Sequence, residues 1–111
     1  MAQNRVKAVT RGSLAGSSLT SSYQAINSTP FGGACFRIAI SNSTTAAVDI
    51  SYDGSTDHDV VLTGQTIVID AQTNAQPTAD TALFIKGLTV YVKGASSAGS
   101  VYVSGYYVTY S

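Results

Sequence analysis

The sequence is poor in charged residues, which make up 11% of its 111 positions. Soluble domains average about 25% Asp, Glu, Lys and Arg. Glutamate is absent, and Ser, Thr, Gly, Ala and Asn fill the polar positions. A lone soluble domain covers itself with mixed charges that keep it dispersed. The composition therefore favours a non-enzymatic structural protein that assembles with copies of itself or with a larger particle, the alternative being a β-rich domain with a merely neutral surface.

Other scarcities exclude several classes of partner and site. The formal net charge is zero, so attraction to nucleic acid or to an anionic membrane has no net source, and we expect neither partner. The single cysteine, Cys35, excludes an intramolecular disulfide and a cysteine zinc cage, and its apolar neighbours predict a core or interface position. No run has transmembrane length, and the first ten residues lack the apolar stretch of a signal peptide, so we expect synthesis in a reducing cytoplasm.

Groups that could support catalysis are equally scarce. His58 is the only histidine, and it lies in the segment 53–59 with Asp53, Asp57 and Asp59. This segment could bind a divalent cation, but its spacing does not match a calcium loop, so we favour a polar hairpin tip with a solvated histidine. No phosphate-binding loop precedes a helix. We predict no enzymatic activity and no cofactor, although a pair of aspartates brought together by folding stays open.

Hydrophobic residues alternate with polar ones in several short runs. Such period-two runs, rich in β-branched and aromatic residues, predict strands with one buried face. They cover residues 36–40, 48–52, 67–69, 88–93 and 101–110. Several short strands at this spacing predict an all-β fold, a small antiparallel β-sandwich of jelly-roll or immunoglobulin-like type with an extended N-terminal arm.

Turn residues separate these runs. Asp53-Gly54-Ser55 follows one strand directly, and Gly64 lies between the apolar runs 60–62 and 66–68. Residues 94–99 predict a hairpin between the last two strands. The longest gap, from Ala71 to Thr81, contains Pro77 and predicts an exposed loop.

The first thirty-three residues have weaker patterning than the rest. One strand is suggested within residues 5–10, residues 12–22 are rich in Ser, Gly and Thr, and Pro30 precedes the first strong strand. We predict an arm at 1–33 ahead of a sandwich domain at 34–111. The alternative is that this part adds a strand to its own sandwich.

Charges are segregated along the chain. Arg5, Lys7 and Arg11 are basic, and all six acidic residues lie between Asp49 and Asp80. Two opposite patches would allow head-to-tail docking, in which the arm of one copy meets the acidic loops of the next. The alternative is that the two patches meet within one fold.

Tyrosines are concentrated in the last two predicted strands. They are Tyr91, Tyr102, Tyr106, Tyr107 and Tyr110. Tyr102, Tyr106 and Tyr110 share one parity and would line one face of an unbroken strand. Tyr is favoured at interfaces because it buries a large ring while its hydroxyl reaches a polar partner. We therefore predict an interface formed by Arg5, Lys7, Arg11, Tyr91, Tyr102, Tyr106 and Tyr110. A core face and a platform for stacking sugars are the alternatives.

Two stretches combine strand and turn patterns: residues 48–54 followed by Asp57-His58, and residues 88–94 leading into 99–106. Both resemble a pattern in small virion structural proteins of tailed bacteriophages. The resemblance covers residues 35–108 and rests on turn and strand patterns. It implies a β-sandwich virion component present in symmetric copies, made in the host bacterial cytoplasm. Such proteins decorate or cement the capsid or build the neck and collar, so the resemblance implies the major capsid protein or portal and neck proteins as partners. A carbohydrate-binding β-sandwich module is the alternative function.

Overall fold

The fold is all-β in the part of the chain that the structure describes. The structure is a computed structural model of a single chain; it describes the backbone of residues 4–27, 29–70, 84 and 87–110, and the side chains of the same residues except 4 and 108–110. Its nine strands are β1 (Asn4–Ala8), β2 (Gly12–Ala15), β3 (Gln24–Ala25), β4 (Cys35–Asn42), β5 (Val48–Ser51), β6 (Asp59–Val61), β7 (Thr66–Asp70), β8 (Tyr91–Gly94) and β9 (Ser100–Tyr110). One 3-10 turn at Gly16–Ser18 is the only helical element among the described residues.

Two antiparallel sheets form the sandwich. Sheet A has the order β1-β9-β4-β7, with β2 also paired to β9, and sheet B has the order β3-β8-β5-β6. The pairing is nested, since β2 pairs with β9, β3 with β8, β4 with β7 and β5 with β6. Eight strands rolled up in this way form a jelly roll. The predicted antiparallel β-sandwich is confirmed, and its topology is that of the jelly-roll alternative.

Alternation along each strand decides which side chains fill the core. Ile38 and Ile40 of sheet A and Val48 and Ile50 of sheet B are at most 2% exposed, as the period-two pattern predicts. The strand pairing of β4 with β9 shifts by one residue at Phe36, which leaves an extra residue between Cys35 and Arg37.

The first thirty-three residues contribute to the sandwich itself. β1 and β2 pair with β9, and β3 pairs with β8. Leu19, Ile26 and Phe31 are buried in the same hydrophobic core as the later strands. The boundary predicted at residue 33 therefore does not separate two packing units, because these apolar residues lose their exposure to water only by packing between the sheets.

The last two strands do not form the predicted hairpin. β8 pairs with β3 and β5 in sheet B, whereas β9 pairs with strands of sheet A. Gly99 does adopt a positive φ of 92°, so the chain turns where the sequence indicates. The turn carries the chain from sheet B to sheet A, so the fully buried Val92 and Val103 face the core from opposite sides.

The end of β9 continues beyond the sheet. The last residue of β9 that pairs with β4 is Tyr107, whose partner is Cys35. Residues 108–110 pair with β1, so that β1 and the end of β9 form a two-stranded ribbon. The predicted loop from Ala71 to Thr81 lies outside the described residues.

Candidate functional site

The two lateral sides of the sandwich, where the sheets end, carry opposite charge. We call the side formed by β1, β2 and β3 the basic edge, because it carries Arg5, Lys7 and Arg11. We call the side formed by β6, β7 and the connecting residues 62–65 the acidic edge, because it carries Asp59 and Asp70. Asp59 and Asp70 thus lie on the side opposite Arg5, Lys7 and Arg11, whereas Asp57 lies beside Tyr23 and Lys93.

Exposed hydrophobic side chains concentrate at these edges. The large hydrophobic residues with the greatest exposure are Val6 (64%), Leu62 (55%), Val60 (52%), Val68 (48%) and Tyr106 (37%). The first four lie on or directly beside edge strands, and Tyr106 lies on β9 beside β1. An exposed apolar edge strand is a template for pairing with another chain unless charges, bulges or a covering segment block it.

The predicted basic residues lie in two environments. Arg5 and Lys7 are exposed on β1, and neither forms an ion pair with any residue that the structure describes. The guanidinium of Arg11 instead lies over the ring of Tyr102, with its central carbon 4.9 Å from the ring centroid. A cation above an aromatic face is attracted by the electron density of the ring.

Two of the predicted tyrosines share the outer face of sheet A. Tyr102 and Tyr106 alternate with the buried Val101 and Val103, as their shared parity predicts. Tyr110 pairs through its backbone with Asn4, and its side chain lies outside the described residues.

Tyr91 lies apart from the others, in sheet B. The loop 53–58 covers it, since a Cβ added to Gly54 would lie 3.4 Å from the Tyr91 ring. Proximity in sequence to Tyr102 suggested one tyrosine surface, but the change of sheet between β8 and β9 places Tyr91 elsewhere. The interface assignment of all seven residues stays a prediction.

For the alternative in which tyrosines stack on sugars, the described residues offer one exposed tyrosine ring. Arg11 covers one face of Tyr102, which leaves Tyr106 as the most exposed of the described tyrosines in sheet A. Binding on a glycan array that is lost in Tyr106→Ala would support this alternative.

A polar cluster on the outer face of sheet B was missed by sequence reasoning. The hydroxyl of Tyr23 donates to the carboxylate of Asp57, which also lies 3.0 Å from Nζ of Lys93. Burial and the contact with Asp57 raise the pKa of Tyr23, while hydrogen bonds from Tyr23 and Lys93 lower the pKa of Asp57. These contacts fix the 53–58 loop to β8 and to the residue that precedes β3. No local signal predicts them, because the residues are distant in sequence.

The other carboxylates of the 53–59 segment have separate partners. Asp53 accepts two backbone N–H groups of its own loop, and these hydrogen bonds hold its pKa well below the ordinary value. Asp59 accepts from the hydroxyl of Tyr52 at 2.6 Å.

His58 is exposed, and its Nδ1 accepts the backbone N–H of Tyr52 at 3.0 Å. This hydrogen bond occupies one of the two ring nitrogens. Among the described residues, no group of three His, Cys, Asp or Glu side chains could hold a metal ion.

Comparisons with known proteins assign no family. No family model and no curated protein matches the chain. A chain from the disulfide-linked pili of Bacillus endospore appendages is 16% identical, with a TM-score of 0.44 over 96% of this chain and 89% of that chain. A Neisseria meningitidis protein of known crystal structure is 8% identical, with a TM-score of 0.36 over 94% of this chain and 72% of that chain. Neither similarity is close enough to place this chain in a family.

In the described part of the chain, no helix has the length and apolar character needed to cross a membrane.

Proposed function

We propose that this protein is a structural subunit that acts by assembling with other copies of itself and catalyses no reaction. The main support is the exposed apolar surface on the acidic edge, where Val60, Leu62 and Val68 are each about half exposed. Neither β6 nor β7 carries a Lys or Arg. An edge with this much exposed apolar surface is a template for unwanted pairing with another chain. A subunit that covers this edge in an assembly avoids that hazard.

We further propose that the assembly is part of the virion of a tailed bacteriophage, as a capsid decoration or cement protein or as a neck and collar component. The support is the resemblance of residues 48–54 and 99–106 to small virion proteins. The jelly-roll topology agrees with this setting, since it occurs in viral capsid proteins. It also occurs in lectins, so the fold alone does not decide the function.

The test of this proposal is direct observation of the assembled state. Analytical ultracentrifugation of the purified chain should give a species larger than a monomer, and electron microscopy should locate it in an intact particle. A monomer at every concentration, together with its absence from purified particles, would refute the proposal.

A variant of β6 tests the contribution of the acidic edge. Val60→Lys places a charge at a position that is 52% exposed, so the fold should survive while assembly is weakened. Thr45→Lys introduces the same charge at an exposed position between β4 and β5, and it should assemble like the unaltered protein. Equal assembly of both variants would show that β6 is not an assembly surface.

A further inference from the structure

We propose that copies associate head to tail by strand addition, with β1 of one copy pairing along β6 of the next, on the side of β6 that no described strand occupies. This inference rests on the proposed function, because it specifies the contact through which the copies assemble.

β1 has the properties of a strand that can be added to another sheet. It pairs with β9 on one side and with no other described strand. Val6 is 64% exposed, and Arg5 and Lys7 are exposed without an ion pair among the described residues. The strand also belongs to the ribbon that continues past β4, so a neighbouring molecule can approach it without meeting the body of sheet A.

β6 has the matching properties of an acceptor. It pairs with β5 on one side, and no described strand pairs with its other side. Val60 is 52% exposed, whereas its neighbour Val61 is fully buried. Asp59 is exposed, and among the described residues its carboxylate accepts one hydrogen bond, from Tyr52.

Side-chain alternation makes the two strands complementary. When Val6 lies beside Val60, the two exposed valines share one face and cover each other. The bases at positions 5 and 7 then lie on the opposite face. Arg5 is placed beside Asp59 if the strands run parallel, and Lys7 is placed there if they run antiparallel. Either direction therefore pairs a base with the acid, and neighbouring opposite charges stabilise strand pairing.

The charges disfavour two other pairings of β1. Pairing β1 with β1 of a second copy would bring Arg5 and Lys7 close to their own copies, and like charges on paired strands are destabilising. Pairing β1 with β7 so that Val6 lies beside Val68 places the bases beside Ile67 and Ile69, which offer no opposite charge. β6 is therefore the acceptor that the charges select.

The contact joins two different surfaces, so it is heterologous. A heterologous contact gives a closed ring or an open filament, depending on the rotation between successive copies. Both outcomes leave the basic edge of one copy covering the acidic edge of the next.

Disulfide trapping tests the pairing directly. Val6→Cys and Val60→Cys are made in separate chains, one of which carries a purification tag so that the two differ in mass. Neighbouring residues on paired strands have Cβ atoms about 4.5–5.5 Å apart, which small movements bring into disulfide range. We expect a cross-linked dimer of one chain of each kind when the two variants are mixed and oxidised. The unaltered protein is the control, because Cys35 is fully buried.

The other results of trapping overturn the inference. Cross-linking of Val6→Cys with itself would indicate β1 paired with β1. Assembly without any cross-link in the mixture would place the contact elsewhere and leave the proposed function standing. Failure of the unaltered protein to assemble would remove both the inference and the proposed function.

Charge reversal provides an independent test. Arg5→Asp combined with Lys7→Asp should weaken association at least about tenfold, because like charges then meet at the contact. Asp59→Lys alone should weaken it in the same way, and the triple variant should recover association. Thr45→Asp, which adds an acid at an exposed position between β4 and β5, is the control and should associate normally. Circular dichroism would verify that each variant is folded, and a triple variant as weak as its parents would contradict the pairing.

Discussion

Removal of the Asn27 side chain should destabilise the fold more than removal of a comparable amide nearby. Asn27 is 4% exposed and lies in the part of the chain that precedes β4. Its Oδ1 accepts the backbone N–H of Val90 at 2.8 Å, and its Nδ2 donates to the carbonyl of Leu88 at 3.0 Å and to that of Thr29 at 3.2 Å. The side chain therefore joins the N-terminal region to the segment that leads into β8.

The magnitude follows from the group left without a partner in Asn27→Ala. The N–H of the fully buried Val90 loses its acceptor and cannot be hydrated easily, whereas the carbonyl of Leu88 keeps the N–H of Phe31 at 3.1 Å. A buried polar group left unpaired costs about 1–3 kcal/mol, which is the expected loss. With a urea dependence of about 1.5 kcal/mol per molar, the unfolding midpoint should fall by about 0.7–2 M.

Urea denaturation followed by circular dichroism measures this loss, and Gln24→Ala is the matched control. Gln24 donates to the carbonyl of Ser18 at 2.7 Å in an exposed environment, so water can replace it and the loss should stay below about 1 kcal/mol. The difference between the variants should persist across protein concentrations, because assembly adds a concentration-dependent term to both. Equal midpoints for the two variants would refute the view that the N-terminal region is an integral part of the sandwich.

Three further predictions use neighbouring or contrasting positions. Val61→Ala should lower the free energy of unfolding by about 2 kcal/mol, whereas Val60→Ala should change it by less than about 0.5 kcal/mol, since only the first side chain is buried; urea titration of both variants would check this. The contacts that lower the pKa of Asp57 stabilise the fold above the unfolded pKa, and this stabilisation is lost as the pH falls through the folded pKa. An NMR titration should detect this transition, and it should occur at a higher pH in Tyr23→Phe; an unchanged Asp57 titration would contradict the hydrogen bond. Cys35 should react slowly with a thiol reagent in the native protein and rapidly in urea, because burial raises the pKa of its thiol and blocks access; fast native labelling would show that it is accessible.

Strand faces are the feature that local sequence predicts best. The alternation in residues 36–40 and 48–52 correctly identifies Ile38, Ile40, Val48 and Ile50 as core residues. The prediction succeeds because a strand side chain points to one of two faces and only one face leaves water. β3 was not predicted, because it is two residues long and has too little pattern to detect.

The local sequence pattern predicts a β8 that starts earlier than the strand in the structure. The pattern over 88–93 predicts one strand, yet β8 begins at Tyr91. Leu88 and Val90 are buried as the pattern requires, but their backbone groups bond to Asn27, Ile26 and Phe31 outside the sheet ladder. Burial and strand pairing are separate properties, and periodicity reports only the first.

The candidate site could be anticipated only in part. The sequence shows basic residues near its start, which include Arg5 and Lys7, and a later run of acidic residues. The placement of Asp59 and Asp70 on the side opposite the basic residues depends on the order of strands in each sheet. The cluster of Tyr23, Asp57 and Lys93 depends on the same order, since it joins a loop to β8 and to the residue that precedes β3, which are remote in sequence.

By itself, the sequence determined that the chain is β-structured, where most strands lie and which of their residues face the core, because composition and period-two alternation act locally. Only the tertiary structure decided the partners of each strand, and with them the jelly roll, the position of the first thirty-three residues and the opposed charged edges. The physical reason is that backbone hydrogen bonds between strands are the same for every residue type. The choice of partner is therefore made by the packing of the whole core.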